Sequence, residues 1–228
     1  MRSVDQLRSA VPAVVVNVDH PSASLVQMLG TLGADAVFFD CEQGSPDIES
    51  VENMARAAKL AGGPSLVRLW SRDPWMIERM LLRGVDGIVV PRVDDAETAR
   101  QVVETVRYVL PATHADKLVV VQVESREAAD DIDALLEIEG IDVFFIGPVD
   151  LAKSMGFAGD YTVPEVRAAM DRVIDKVTAA GRRCGILVNE ASAADYASRG
   201  VTFLYCHAND FLRLGLADFR TRLEGIAR

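Results

Sequence analysis

Short apolar runs alternate along this chain with longer segments in which apolar residues return every three or four positions. The runs occupy residues 13–18, 36–39, 66–69, 88–90, 118–123, 143–146, 186–188 and 203–205. Each has the length of a strand, and each lacks the polar alternation of a strand that faces water, so they read as parallel strands covered on both faces. The intervening stretches, such as 95–109 and 164–180, have the length and period of crossover helices. Four junctions share one pattern: GADAVFFD, GVDGIVVP, GIDVFFIG and GVTFLYC open on Gly33, Gly84, Gly140 and Gly200 after helical segments. A glycine there closes a helix in a left-handed turn and starts the next strand. Eight such units predict a single (β/α)8 barrel over residues 1–228. The rival is an open doubly wound sheet, but no Gly-x-Gly-x-x-Gly follows the first strand.

Composition narrows the class. The chain has 228 residues, half of them hydrophobic, and a net charge of −10 without a basic run. Nucleic acid and anionic membranes are therefore poor partners. No apolar stretch approaches the ~20 residues of a membrane span, and the first residues form a charged amphipathic segment rather than a secretory leader, which predicts a cytoplasmic location. Cys41, Cys184 and Cys206 are far apart and outside any zinc pattern, as expected of reduced packing residues.

In a barrel of this kind the chemistry sits where strands end at their C-terminal side. Those positions are unusually polar here: Asp19 and His20, Asp40 with Glu42 and Gln43, Arg68, Pro91 with Arg92, Gln122 with Glu124, Asp150, Asn189 with Glu190, and His207. Glu124 and Asp150 follow successive strands and could bring two hard oxygen ligands to Mg²⁺, Mn²⁺ or Co²⁺; the plainer reading of either acid is a helix cap or a surface charge. Arg68 can grip a carboxylate through its planar fork, or simply pair with Asp40 or Glu42. Gln122 lies on the same strand face as Glu124. The string Gly147-Pro148-Val149-Asp150-Leu151 is a turn whose backbone N–H groups can hold a carboxylate. Trp70 and Trp75, near Arg68, could wall a pocket or pack on a helix.

Taken together, FFDCEQGSPD, LVRLW, RGVDGIVVPRVDDAETAR, VQVESREA, GIDVFFIGPVDLAKSMGFAG and CGILV resemble the HpcH/HpaI aldolase family, related to the citrate lyase β-subunit. They are collinear over nearly the whole chain. The resemblance implies Glu124 and Asp150 as metal ligands, Arg68 and Gln122 as contacts to bound pyruvate, Gly147, Pro148 and Val149 around its carboxylate, and Asp40 and Glu42 just behind. It implies a metal-dependent aldolase, a carbon–carbon lyase that forms or uses a pyruvate enolate from a 4-hydroxy-2-oxo acid. It also implies a homo-oligomer, trimer or hexamer, built through C-terminal helices, which suits the apolar stretch 211–226.

Three departures stand out. Gln43 replaces the family's histidine, and Leu82 replaces an aspartate that partners it, so the usual proton-handling pair is missing. His20 and His207, which follow strands, are the candidate replacements, whereas His114 is expected at the opposite end. The connection into the fifth strand is short where relatives carry a long loop, which is expected to open the substrate side. Loss of the pair leaves alternatives: an oxaloacetate-type decarboxylase, a lyase acting on a coenzyme A thioester, or a non-catalytic protein that binds 2-oxo acids.

Overall fold

Eight parallel strands close into a barrel in chain order in the computed structural model, which describes residues 1–224. They are β1 (Ala13–Asn17), β2 (Ala36–Asp40), β3 (Ser65–Arg68), β4 (Gly87–Val90), β5 (Leu118–Val123), β6 (Val143–Ile146), β7 (Arg183–Leu187) and β8 (Phe203–His207). The helices among the described residues are α1 (Val4–Leu7), α2 (Ala23–Thr31), α3 (Ile48–Leu60), α4 (Pro74–Leu81), α5 (Ala96–Val109), α6 (Arg126–Asp130), α7 (Ile132–Leu136), α8 (Pro148–Ser154), α9 (Pro164–Ala179), α10 (Ala193–Ser198) and α11 (Ala208–Glu224). None is long and apolar enough to cross a membrane.

Two cores follow from the strand period of two. One set of alternate residues, including Val37, Phe39, Val67, Ile88, Val121 and Phe144, packs outward against the helices. The other, including Val15, Phe38, Leu66, Val89, Val120, Phe145, Phe203 and Tyr205, fills the barrel interior. Inside, Phe38 meets Tyr205 edge to face at 4.7 Å and Phe145 meets Tyr205 at 5.5 Å. Each such pair adds about 0.5–1.5 kcal/mol beyond the area it buries. Gly185 makes room for this cluster, since a Cβ there would stand 2.9 Å from Phe145.

The glycine turns behave as expected: Gly33, Gly84, Gly140 and Gly200 all have φ between 86° and 100°. Gly33 and Gly200 directly follow the caps of α2 and α10, Leu32 and Arg199. The free thiols of Cys41, Cys184 and Cys206 are buried, and that burial pushes each up to about 12, so they are inert packing groups.

Several expectations change. The segment 110–117 leads from α5 into the start of β5, so it lies at the end of the barrel where strands begin. Its shortening therefore does not open the substrate side; His114 does lie there, beside Lys117 and Asp142. Position 82 caps α4 at that same end, because the helix runs back antiparallel to its strands; Leu82 is 54% exposed and cannot meet residue 43 within one chain. Trp70 and Trp75 are exposed and neither lines the cavity at the barrel mouth; Trp70 edges a shallow depression with Ile48 of α3 and Met76 of α4. The seventh strand begins three residues before its apolar run, at Arg183, whose guanidinium donates to the carbonyls of Arg8 and Gly181.

α11 departs from the barrel. Only Ala208 of it is buried, while Phe211, Leu212, Leu216, Phe219 and Leu223 remain exposed, and Ile226 lies outside the described residues. Apolar clefts of about 350 and about 160 Å³ flank the helix, and Val14, on the outer face of β1, lines both.

Candidate active site

The inward face that carries Val15, Phe38, Leu66, Val120 and Tyr205 lower in the barrel ends in polar residues at its top. Two residues further along each strand stand Asn17, Asp40, Arg68, Gln122 and His207, and Glu124 continues the row beyond β5. Strand period alone therefore gathers polar groups above an aromatic floor. Asp40, Gln43, Arg68, Gln122, Gly147, Pro148, Val149, Asp150 and His207 line one cavity of about 270 Å³, together with Phe38, Phe145, Leu187, Tyr205 and Lys153. Glu42 and Glu124 reach it through Arg68 and Gln122. His20 is exposed and does not line the cavity. Asn189 and Glu190 line the cleft beside α11 instead.

Arg68 is held before any ligand arrives. Its Nε donates to Asp40 Oδ1 at 2.8 Å and its Nη2 to Asp40 Oδ2 at 2.6 Å, a two-pronged pair with side chains only 13% and 9% exposed. Nη1 lies 3.2 Å from Glu42 Oε2, in charge contact without hydrogen-bond alignment. Asp40 Oδ1 also accepts the N–H groups of Glu42 and Gln43, which fixes the turn after β2. Of the two sequence readings of Arg68, the ion pair with Asp40 is present, and Arg68 also lines the cavity.

Glu124 is the most perturbed acid here. Its Oε1 accepts the N–H of Arg92 at 2.7 Å and its Oε2 accepts from Gln122 Nε2 at 3.0 Å. Burial, opposed by the Arg92 N–H and reinforced by the charges of Glu42 and Asp150, pushes it up to about 7. Burial likewise raises Glu42, against the pull of Arg68 and Arg92. The negative charges of Glu42, Glu124 and Asp150 thus oppose one another beside the cavity. Gln122 is 1% exposed and its Oε1 has no partner among the described residues. Asp150 is less enclosed and pairs with Lys153 at 2.9 Å.

The turn after β6 differs from expectation in one donor. Gly147 N–H is already given to Val123 O at 3.1 Å, and Pro148 has none, so the N–H groups of Val149 and Asp150 at the start of α8 are the ones left for a carboxylate. The glycine is needed for space: a Cβ at Gly147 would lie 2.8 Å from Glu124 Oε2.

Residues 14–206 match the sequence pattern of the HpcH/HpaI aldolase/citrate lyase family. The chain belongs to that family. Among its relatives, a hydroxypyruvate/pyruvate aldolase of Agrobacterium fabrum is 32% identical over 222 residues, spanning 87% of this chain and 84% of the relative. A 4-hydroxy-2-oxo-heptane-1,7-dioate aldolase of Salmonella dublin is 30% identical over 224 residues, 88% of this chain and 85% of its own. In structure, an HpcH/HpaI aldolase/citrate lyase family protein from Burkholderia cenocepacia superposes with a TM-score of 0.87 at 27% identity, covering 98% of both chains.

Within this HpcH/HpaI barrel, sequence reasoning marked Asp19 and Arg92 only as polar strand ends and missed Asn17, Lys153 and Tyr205, all of which the structure puts at or beside the site. Arg92 acts through a backbone N–H, supplied by an unusual φ of 55°, which side-chain chemistry cannot reveal. Asn17 and Tyr205 meet only because the barrel closes, with Asn17 Nδ2 donating to Tyr205 Oη at 2.9 Å.

Proposed function

We propose that this HpcH/HpaI family member is a divalent-metal-dependent carbon–carbon lyase, a class II aldolase that forms or uses the enolate of pyruvate from a small 4-hydroxy-2-oxo acid. One observation carries the reading: the ion-paired Arg68, the carboxylates of Asp40 and Asp150 and the buried Gln122 line the same small cavity, with Glu42 and Glu124 in contact behind Arg68 and Gln122. The names of the relatives support the reaction class.

The donor set suits Mg²⁺, Mn²⁺ or Co²⁺. Among the described residues no group of three or more His, Cys, Asp or Glu is placed to hold a metal ion, so a cation on two carboxylates would need waters and substrate oxygens to complete its shell. Glu124 and Asp150 would hold it, and the cation would offset the burial, and the charges of Glu42 and Asp150, that raise Glu124. Asp150 need only leave its exposed pair with Lys153, a contact worth roughly 1 kcal/mol or less. When bound, the metal supplies Lewis acidity to a 2-oxo acid. Around it Arg68 would hold negative charge on the oxo oxygen, Gln122 Oε1 would accept from a water or hydroxyl, and the N–H groups of Val149 and Asp150 would receive the carboxylate, with Pro148 and Gly147 shaping the turn. Gly147→Ala is expected to push Glu124 aside and weaken Mn²⁺ binding by about 10-fold or more, measured by calorimetry.

The test is pyruvate release from a panel of 4-hydroxy-2-oxo acids and oxaloacetate by metal-stripped protein, with and without Mg²⁺, Mn²⁺ or Co²⁺. Metal-dependent cleavage of a hydroxy-oxo acid supports the lyase; turnover of oxaloacetate alone moves the assignment to a decarboxylase. The second reading has its own observation: Gln43 is exposed at the cavity mouth with no titrating partner, and decarboxylation has no alcohol proton to remove. Binding of pyruvate without turnover would make the chain a 2-oxo-acid-binding protein.

The enzyme is further proposed to be one domain over residues 1–228, to work in the cytoplasm, as three reduced thiols suit, and to self-associate. The apolar face of α11 and the clefts beside it fit a second copy of the chain. Sedimentation showing a monomer at micromolar concentration would remove that last proposal.

A further inference from the structure

The lyase reading leaves the substrate proton without a carrier, since Gln43 cannot titrate and Leu82 lies at the other end of the barrel. Resting on that reading, we propose that His207, oriented by Asp19, takes and returns this proton.

The two residues come from opposite ends of the sequence and meet at the seam between β8 and β1. His207 Nδ1 lies 2.5 Å from Asp19 Oδ1. Asp19 is itself fixed: its Oδ2 accepts the Asn209 N–H at 2.8 Å, and its own N–H donates to Asn17 Oδ1 at 3.2 Å. To make these bonds Asp19 adopts φ 59°, a left-handed conformation that costs a non-glycine residue energy and persists only where its surroundings enforce it. Tyr205 packs edge-on against the imidazole at 5.2 Å and sets its plane.

A carboxylate can only accept, so the contact places the ring proton on Nδ1 and leaves the lone pair on Nε2. Asp19 is 9% exposed and His207 36%, so the pair has a buried, orienting side and an open, reacting side. His207, and not Asp19, lines the cavity that holds Arg68, Gln122 and Asp150. The other lining groups are engaged or unsuited. Asp40 is bound to Arg68, and Lys153, which Asp150 would release on turning to the metal, carries an ammonium group with no lone pair to accept a proton. Burial raises Tyr205 further above its ordinary value, which keeps its phenol protonated.

The step balances without an added reactant. Nε2 accepts the proton of the C4 hydroxyl, C4–O becomes a carbonyl as the C3–C4 bond breaks, and that electron pair passes to C3 and the C2 oxygen as an enolate facing Arg68. The imidazolium then returns the proton to C3, which gives pyruvate and an aldehyde. Asp19 is a positioning residue: it holds the tautomer and stabilises the transient imidazolium.

Four proteins test this on a 4-hydroxy-2-oxo acid and on oxaloacetate, each with Mg²⁺: wild type, His207→Asn, Asp19→Asn and the exposed-histidine control His20→Asn. His207→Asn should lose cleavage by about 10² to 10⁴-fold while oxaloacetate decarboxylation, which frees no alcohol proton, falls by no more than about threefold. Asp19→Asn should lower kcat for cleavage by about 10-fold or more with KM little changed. In metal-free protein, ring-nitrogen NMR of the three histidines should show the Nδ1–H tautomer at His207 and its loss in Asp19→Asn. Cleavage by His207→Asn within about threefold of wild type, or equal loss of both reactions, would overturn the proposal. Wild-type protein inactive on both substrates would instead sink the lyase reading itself, and this inference with it.

Discussion

Glu124→Gln is expected to lower metal-dependent kcat/KM for pyruvate release by at least ~10² to 10³-fold, and at the same time to make the metal-free protein harder to unfold at pH 8. The second half follows from the raised carboxyl. Glu124 moves from an ordinary 4.5 up to about 7 because burial, and then Glu42 and Asp150, disfavour its charged form. Below pH 4.5 it is protonated in both folded and unfolded chains and contributes nothing to the pH dependence. Between 4.5 and about 7 only the unfolded chain releases the proton, so stability falls with rising pH, by roughly 3 kcal/mol in all. Glutamine avoids that loss. Its oxygen can keep the Arg92 N–H, and a turn of the Gln122 amide would offer the now unpartnered Oε1 to the new NH₂ group. Urea melts of both proteins should coincide near pH 4.5 and separate by pH 8, with Mn²⁺ raising the midpoint of wild type alone. Curves that stay together at pH 8 would show that Glu124 is not held against its charge.

Arg68→Met should damage fold and function together. It strands Asp40, whose carboxylate is 9% exposed and would keep only the N–H groups of Glu42 and Gln43. Breaking one side of a buried pair costs about 3–5 kcal/mol, which for a chain of this size lowers Tm by roughly 6–20 °C. The double variant Arg68→Met with Asp40→Asn removes the stranded charge and should recover part of that fall. It should not recover 2-oxo acid binding, and neither should Arg68→Lys, because an ammonium cannot reproduce the two-pronged grip on Asp40. Thermal melts by circular dichroism and calorimetric titration with pyruvate check both halves. A Tm within 2 °C of wild type, inside the shift expected for about 1 kcal/mol, would mean that Asp40 finds water or another donor.

The barrel was legible because parallel strands buried on both faces leave unmistakable apolar runs, and because left-handed glycines mark their entries. β7 was the least legible, since Arg183 and Gly185 carry no apolar signal and belong to it through backbone pairing with β6 and β8. The row of polar strand ends was legible by the same period of two, from Asp40 through Arg68 to Gln122. What could not be read were relations between distant elements. Position 82 sits just before the Gly84 turn in sequence, yet the antiparallel return of α4 puts it at the far end from Gln43. His20 and His207 read alike as residues after strands, and only the turn at Asp19 sends one to solvent and holds the other over the cavity. Gly147 lost its N–H to Val123, a donor count that needs the neighbouring strand.

The seam between β8 and β1 also says something about how the molecule comes into being. Asn17 is made early and its register partner, His207, more than 180 residues later. At about 5–20 residues per second, the N-terminal strand waits on the ribosome for roughly ten seconds or more with one edge open, and such long-range pairing is slow to form. A growing chain can therefore assemble Arg68, Gln122 and Glu124 well before the first and last strands join. Chains that stall short of β8 would carry a half-built mouth and an exposed edge prone to pairing with other chains, so biosynthetic quality control of this barrel turns on its final strand.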